Sequence, residues 1–158
     1  MEGASMRFCA IYSDGPKLRD SFIGGYDIGI CINKAANKIP RQLWNWLCAG
    51  DLIEHQDLFA EIRTPITGYC CMPSQKTKLD SFRNKSVLTW DTIGVPEGTQ
   101  WSITASFYLA KWLNSDCIHV YGHNQRLRGK RYTKNRKISE NAEIKTALEN
   151  INLPVRFY

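Results

Sequence analysis

Thr99-Gln100-Trp101-Ser102-Ile103-Thr104-Ala105-Ser106-Phe107-Tyr108-Leu109-Ala110-Lys111-Trp112-Leu113, a short break, then Cys117-Ile118-His119-Val120-Tyr121-Gly122-His123-Asn124 is the stretch that decides the fold. The first segment has helix length and few polar positions, so it is expected to lie flat on a sheet with its aromatics in the core. Hydroxyls at Thr99, Ser102, Thr104 and Ser106 crowd its start, where a helix offers free N–H donors and a partial positive charge. They serve either a ligand or the helix itself, with Thr99 as cap and the others bonding back along the backbone. The second segment is a strand that ends at Gly122. Seven cations follow within twelve residues and without an acid: Arg126, Arg128, Lys130, Arg131, Lys134, Arg136 and Lys137. Without them the remaining 14 bases face 15 acids, so the net charge of +6 is local to this run. Such a patch just beyond a strand end points to an anionic partner or is a solvated loop.

Working outward, the same alternation recurs. Residues 6–12 are β-prone and stop at Ser13-Asp14-Gly15-Pro16; residues 27–32 form an apolar run that stops at Asn33, with one or two helical turns before Pro40. Residues 43–49 suit a strand or a helix equally. A helix is expected over 51–62, a strand over 66–72, a polar helix over 76–84 and a strand from 87 to 90. A charged amphipathic helix over 139–150, with Glu140 and Glu143 in its first turn, precedes a last strand at 154–158. This order predicts one α/β domain with a mostly parallel sheet of six or seven strands, covered on both faces. In such sheets ligands bind beyond the carboxyl ends of the strands, where the strand order switches. The turns selected are those at 13–17, at Asn33, at Gly50-Asp51, and at Gly122-His123-Asn124.

Composition narrows the classes. A chain of 158 residues, 43% hydrophobic with five tryptophans, fits a single packed domain. No apolar run approaches the roughly 20 residues that span a bilayer, and residues 1–5 read as a short leader or expression scar before a start at Met6. Six cysteines without CxxC spacing read as small core residues in a reducing compartment. Three histidines add no four-ligand cluster, so no metal site is expected; magnesium would come only together with a phosphate ligand.

Four groups carry candidate chemistry. Ser13-Asp14-Gly15-Pro16 is an ordinary turn or a backbone cradle for an anion. Asn33 reads a base or ribose, or caps the turn after it. Ser102 opens the long helix. His123, with Gly122 and Asn124 around it, is an acid, a base or a phosphate donor, or else an exposed loop histidine. Arg126, Arg128, Lys130 and Arg131 would hold phosphates or a polyanion.

Gly15-Pro16-Lys17-Leu18 after a first strand, the series from Tyr26 to Ala35 ending its strand in Asn33, Trp101-Ser102 opening a helix, and Ile118 to Asn124 follow one another in a familiar order. The chain resembles the Rossmann-like group of bacterial CMP-sialic-acid sialyltransferases and 6-hydroxymethylpterin pyrophosphokinase-like proteins, and is similar to short phage-encoded members. The resemblance implies a three-layer Rossmann-like fold and nucleotide contacts from Gly15, Pro16, Asn33 and Ser102, with Gly122 and Asn124 facing the same crevice. It implies a nucleotide or nucleotide sugar as partner, a glycosyl- or pyrophosphoryl-transferase as the enzyme class if there is one, and a cytoplasmic location, in a host cell if phage-encoded. Lys17 stands where the group has Ser, Ile103 where it has Gly, and Asn124 where it has an acid. The alternative is a non-enzymatic protein that binds nucleic acid through residues 126–137, with Tyr132 for stacking.

Overall fold

The computed structural model describes residues 5–15, 24–50, 67–76, 86–123 and 134–158. Its core is the apolar runs read as strands. β1 (Phe8–Tyr12), β2 (Ile28–Ile32), β3 (Trp46–Cys48), β4 (Gly68–Cys71), β5 (Ser86–Thr89), β6 (Cys117–Tyr121) and β7 (Val155–Phe157) form one seven-stranded sheet. Ile28-Gly29-Ile30-Cys31-Ile32 is buried at every position, as a strand covered on both faces must be. The order is β5-β4-β3-β2-β1-β6-β7. Every pairing is parallel, so the sheet is wholly rather than mostly parallel.

The chain walks outward from β1 to β5, then returns to the opposite flank of β1 for β6 and β7. Register is set on both sides of β1: Ala10 lies opposite Gly29 on one flank and His119 on the other. The open question over residues 43–49 resolves into two pieces, a 3-10 turn at Arg41–Leu43 and the strand β3. α1 (Pro73–Lys76) is a single turn led by a proline, which suits a first helical position. The helix expected over 51–62, and the one expected over 76–84 apart from Lys76, lie outside the described residues.

Two apolar layers sandwich the sheet. On one face Cys9, Ile11, Ile30, Trp46, Cys48, Ile118 and Val120 pack against α2 (Ser102–Trp112) and α3 (Lys134–Ile151) through Phe107, Leu109, Ile144, Ala147 and Ile151. On the other face Tyr12, Cys31, Leu47, Tyr69 and Tyr121 meet Ala35, Ala36, Ile39 and Trp44 around the 3-10 turn Asn33–Asn37. All six cysteines are buried and free. α2 is buried without interruption from Ile103 to Ala110, wedged between sheet and α3, so its aromatics Phe107 and Tyr108 are core. Trp112, at its end, is 49% exposed.

Two helix starts differ from the sequence expectation. α2 begins at Ser102, not Thr99, whose hydroxyl donates to the carbonyl of Pro96 and caps nothing. α3 begins at Lys134, not Ser139, so Lys134, Arg136 and Lys137 are helical rather than part of a basic loop. Cations at a helix start oppose the macrodipole. Contacts between α2 and α3 override that preference, and they also move Glu140 and Glu143 from the first turn into the middle of α3.

Candidate functional site

The strand order reverses between β1 and β6, and the loops leaving these two strands meet there. The backbone N–H of Ser13 donates to the carbonyl of Tyr121 at 2.9 Å, continuing the sheet one residue beyond β1. The N–H of Gly15 then donates to the carbonyl of Ser13, folding the loop back. Gly15 lies so close to the other loop that a Cβ on it would sit 1.7 Å from the carbonyl oxygen of Gly122. Gly122 itself has φ 75°, a conformation that favours glycine. The two glycines are therefore required by the junction itself, before any ligand is considered.

Beside this junction, Asp14 and Asn33 stand two residues beyond the paired Tyr12 and Cys31. Asp14 forms an ion pair with Lys38, which ties the loop after β1 to the end of the turn after β2. Asn33 has φ 49° and does not cap its turn: Ile32 holds the N-cap position and no side chain makes a capping bond. Its Oδ1 is buried and has no hydrogen-bond partner among the described residues. Buried amide oxygens are normally paired, so this one is an unmet acceptor at the carboxyl end of β2. One strand further, the hydroxyl of Ser102 accepts from the N–H of Gly50 at 3.1 Å, fixing the start of α2 over the end of β3.

The segment that leads into α2 is tied to α3. Glu143 of α3 accepts from the N–H of Gln100 at 2.9 Å, from the N–H of Trp101 at 3.3 Å and from the hydroxyl of Thr104 at 2.9 Å. A carboxylate of the chain thus lies beside the start of the helix, bonded to the two residues that precede it and to one hydroxyl of its first turn. The remaining hydroxyl, Ser106, bonds back to the carbonyl of Ile103. Arg136 lies with its guanidinium carbon 4.5 Å from the centre of the Trp101 ring, a cation–π contact that holds one member of the basic run against the fold.

His123 is not an exposed loop residue. Its side chain is 7% exposed, and Nε2 lies 3.7 Å from Oε1 of Glu140, which is 1% exposed. Behind β6, on the opposite face, Tyr26 bridges His119 and Tyr121 with its hydroxyl, 2.8 Å from Nδ1 of His119. Tyr121 stacks between Tyr12 and Tyr158, at 5.8 and 4.9 Å. Burial pushes the phenols of Tyr12 and Tyr26 well above their ordinary range, the latter helped by its bond to Tyr121. Burial, and then the charge of Arg156, lowers the His119 imidazole. Burial also raises the thiols of Cys9 and Cys71 to about 12, which removes both as nucleophiles near neutral pH.

Ser13, Asp14, Gly15, Asn33, Ser102, Gly122 and His123 therefore all gather at the carboxyl edge of the sheet. Pro16, Asp51, Asn124, Arg126, Arg128, Lys130 and Arg131 lie outside the described residues. Among the described residues no group of three or more His, Cys, Asp or Glu side chains is arranged to hold a metal ion, and no helix is long and apolar enough to cross a membrane. Glu140 and Glu143 entered the sequence reading only as first-turn acids of a helix, and Tyr26 only as part of a strand motif, none of them as a site residue. Only the spacing of Arg136, Glu140 and Glu143 on one helical face hinted at the first two.

No protein-family model and no curated protein matches the chain. Solved structures do. The sialyltransferase CstII from Campylobacter jejuni in complex with the substrate analogue CMP-3FNeuAc superposes with a TM-score of 0.63 and 11% sequence identity, over 96% of this chain and 80% of that one. The same enzyme in complex with cytidine-5'-monophosphate gives 0.58 and 10%, over 96% and 79%. At that identity the likeness is one of fold: the chain shares the Rossmann-like α/β architecture of a sialyltransferase.

Proposed function

We propose that the chain binds a nucleotide or nucleotide sugar at the carboxyl ends of β1, β2 and β6 and is a small glycosyltransferase-like protein. Asn33 carries the reading. Its Oδ1, unmet among the described residues, sits at the end of the strand next to the order switch, where the backbone is left-handed. An amide there suits the donor edge of a base or a ribose hydroxyl. The loops at Gly15 and Gly122 meet at this same edge, and the solved structures of similar fold contain a CMP-sugar analogue and CMP. Lys34, exposed just after Asn33, supplies a cation for phosphate; magnesium would arrive with that phosphate and not before it.

In the transfer reaction an acceptor hydroxyl oxygen bonds to the anomeric carbon of the sugar while the bond from that carbon to the nucleotide phosphate oxygen breaks. The phosphate leaves with the electron pair, and the hydroxyl proton passes to His123, the one imidazole at this edge among the described residues. Positioning and charge stabilisation supply most of the acceleration in such a reaction.

Thermal unfolding against a panel of nucleoside mono- and diphosphates and nucleotide sugars tests the reading. A ligand at a hundred times its Kd adds about 2.7 kcal/mol, which raises the Tm by roughly 5–10 °C in a chain of this size. Asn33→Gly should abolish that rise and leave the unliganded Tm nearly unchanged, since glycine accepts a positive φ without strain. Failure of every nucleotide, with salt-dependent binding of DNA or RNA in its place, would transfer the site to nucleic acid and overturn the proposal.

A further inference from the structure

β7 is an outer strand of the described sheet, and it pairs Arg156 with His119 of β6. Side chains alternate along a strand. Val155 and Phe157 turn toward the helical layer, where Phe157 meets Phe107, so Arg156 and Tyr158 lie on the other face, where Tyr158 stacks on Tyr121. On that face the half-buried imidazole of His119 stands between two exposed rings, Phe8 at 6.0 Å and Tyr158 at 5.4 Å, inclined to it by 63° and 61°. Its Nδ1 meets the hydroxyl of Tyr26 at 2.8 Å, while Nε2 has no hydrogen-bond partner among the described residues.

Arg156 taken alone is the kind of charge that keeps an edge strand from pairing with another chain. That role leaves the residue opposite it unexplained. The titratable groups packed around the imidazole are the phenols of Tyr26, Tyr121 and Tyr158, and among the described residues Arg156 is the one charge that acts on it. Asp27, next to Tyr26, has its carboxylate on the N–H of Phe8, at 2.9 Å. A protonated His119 therefore faces a like charge across the ladder, with no carboxylate between them, an arrangement that destabilises paired strands. An oxyanion placed there removes the repulsion and receives two charged donors, Nε2–H and the guanidinium. The exposed rings of Phe8 and Tyr158 then cover the apolar body that carries it.

We infer that His119, Arg156, Phe8 and Tyr158 form a second binding site, on the sheet face rather than at its carboxyl edge, for a small organic oxyanion carried on an apolar ring. The site goes beyond the nucleotide reading and stands without it. Tyr26 sets the imidazole: in the charged state Nδ1–H donates to its hydroxyl, the hydroxyl donates to Tyr121, and Nε2–H faces the ligand. Binding and protonation are thereby coupled. Burial and Arg156 hold the free imidazole below its ordinary value, and a bound anion opposes both, so affinity rises as pH falls.

The test is NMR titration of the His119 ring in the full chain at fixed ionic strength, assigned with His119→Gln. The probes are benzenesulfonate, methanesulfonate and benzenesulfonamide, whose charges are constant from about pH 5 to pH 8. Saturating benzenesulfonate should raise the His119 midpoint by about one to three units, the usual effect of an opposite charge at this range. By linkage its affinity should be roughly tenfold higher at the acid end. Methanesulfonate has the charge without the ring and benzenesulfonamide the ring without the charge, and each should bind about tenfold more weakly. Arg156→Gln should raise the midpoint of the free protein and weaken benzenesulfonate about tenfold. Tyr158→Ala should reduce benzenesulfonate to the level of methanesulfonate. An unmoved midpoint, equal binding of the three probes, or an affinity untouched in Arg156→Gln overturns the inference. Arg156 and Tyr158 are exposed, so their variants still decide if His119→Gln fails to fold. Nucleotide binding enters none of these outcomes, so either reading can fail alone.

Discussion

Replacing Gly15 by alanine would place a methyl carbon 1.7 Å from the carbonyl oxygen of Gly122, where Cβ atoms essentially never come within about 3.0 Å. The loops after β1 and β6 would have to part by about 1.3 Å. The obstacle is backbone, so no rotamer change relieves it. The hydrogen bond from Ser13 to Tyr121, 2.9 Å long and two residues away, would stretch beyond use and leave a fully buried donor unsatisfied. Overpacking of this kind costs about 1–3 kcal/mol, and a stranded buried donor costs about 1–3 kcal/mol more. The expected loss is therefore about 2–6 kcal/mol out of a total of about 5–15. Urea denaturation followed by tryptophan fluorescence should show a lower midpoint at unchanged slope. Gly24→Ala is the control. Among the described residues its Cβ would meet only the Cδ2 of Leu43, at 3.1 Å on a flexible side chain, and should cost less than about 1 kcal/mol. A Gly15→Ala protein as stable as the control would refute the argument that the junction is closed by direct backbone contact. The same reasoning makes a position-15 variant unsuitable as a ligand probe, because it disrupts the site and the fold together.

Two further outcomes follow from contacts away from the junction. Glu143→Ala should destabilise by about 1–2 kcal/mol, lowering the Tm by roughly 2–8 °C, because two N–H groups at the start of α2 and the Thr104 hydroxyl lose their acceptor; calorimetry checks it, and an unchanged Tm would mean that water replaces the carboxylate at no cost. His119 has its folded-state value below the ordinary one, so the unfolded chain binds the extra proton first. Stability should be complete above the ordinary histidine range and fall as pH drops through it toward the lower folded value. Denaturation midpoints at pH 7.5 and 5.5 should show that loss, and His119→Gln should reduce it.

The architecture was legible because it is written in local pattern. Ile28 to Ile32 is apolar at every position, which only a strand buried on both faces tolerates, and the turn residues after it and after Tyr12 marked the edge where the candidate side chains gather. What escaped was long-range. Nothing near Ser102 announces that the two residues before its helix bond to Glu143, some forty residues on. The basic run from Arg126 reads as a loop because cations oppose a helix start. Arg136 and Glu143 reach partners on the neighbouring helix, and that packing outweighs the local preference. Asn33 read equally as a cap or a ligand contact. The backbone at φ 49° decided against the cap, and no composition rule could have supplied that angle.

The pairing of β1 with both β2 and β6 has a consequence in time. One flank of β1 is covered early, since Cys9 lies opposite Ile28. The other waits for β6: Arg7 donates to the carboxylate of Asp116, 109 residues along, and its carbonyl accepts the return bond. During synthesis β1 is an uncovered sheet edge until most of the chain exists, and closing so long a loop is slow. The junction of Gly15 with Gly122 comes into being only at that closure. A small molecule that grips both loops would bind the finished protein and no earlier form, so it would act as a ratchet behind the last step of folding: the rate at which β6 docks should stay as it is, and the rate at which it leaves should fall.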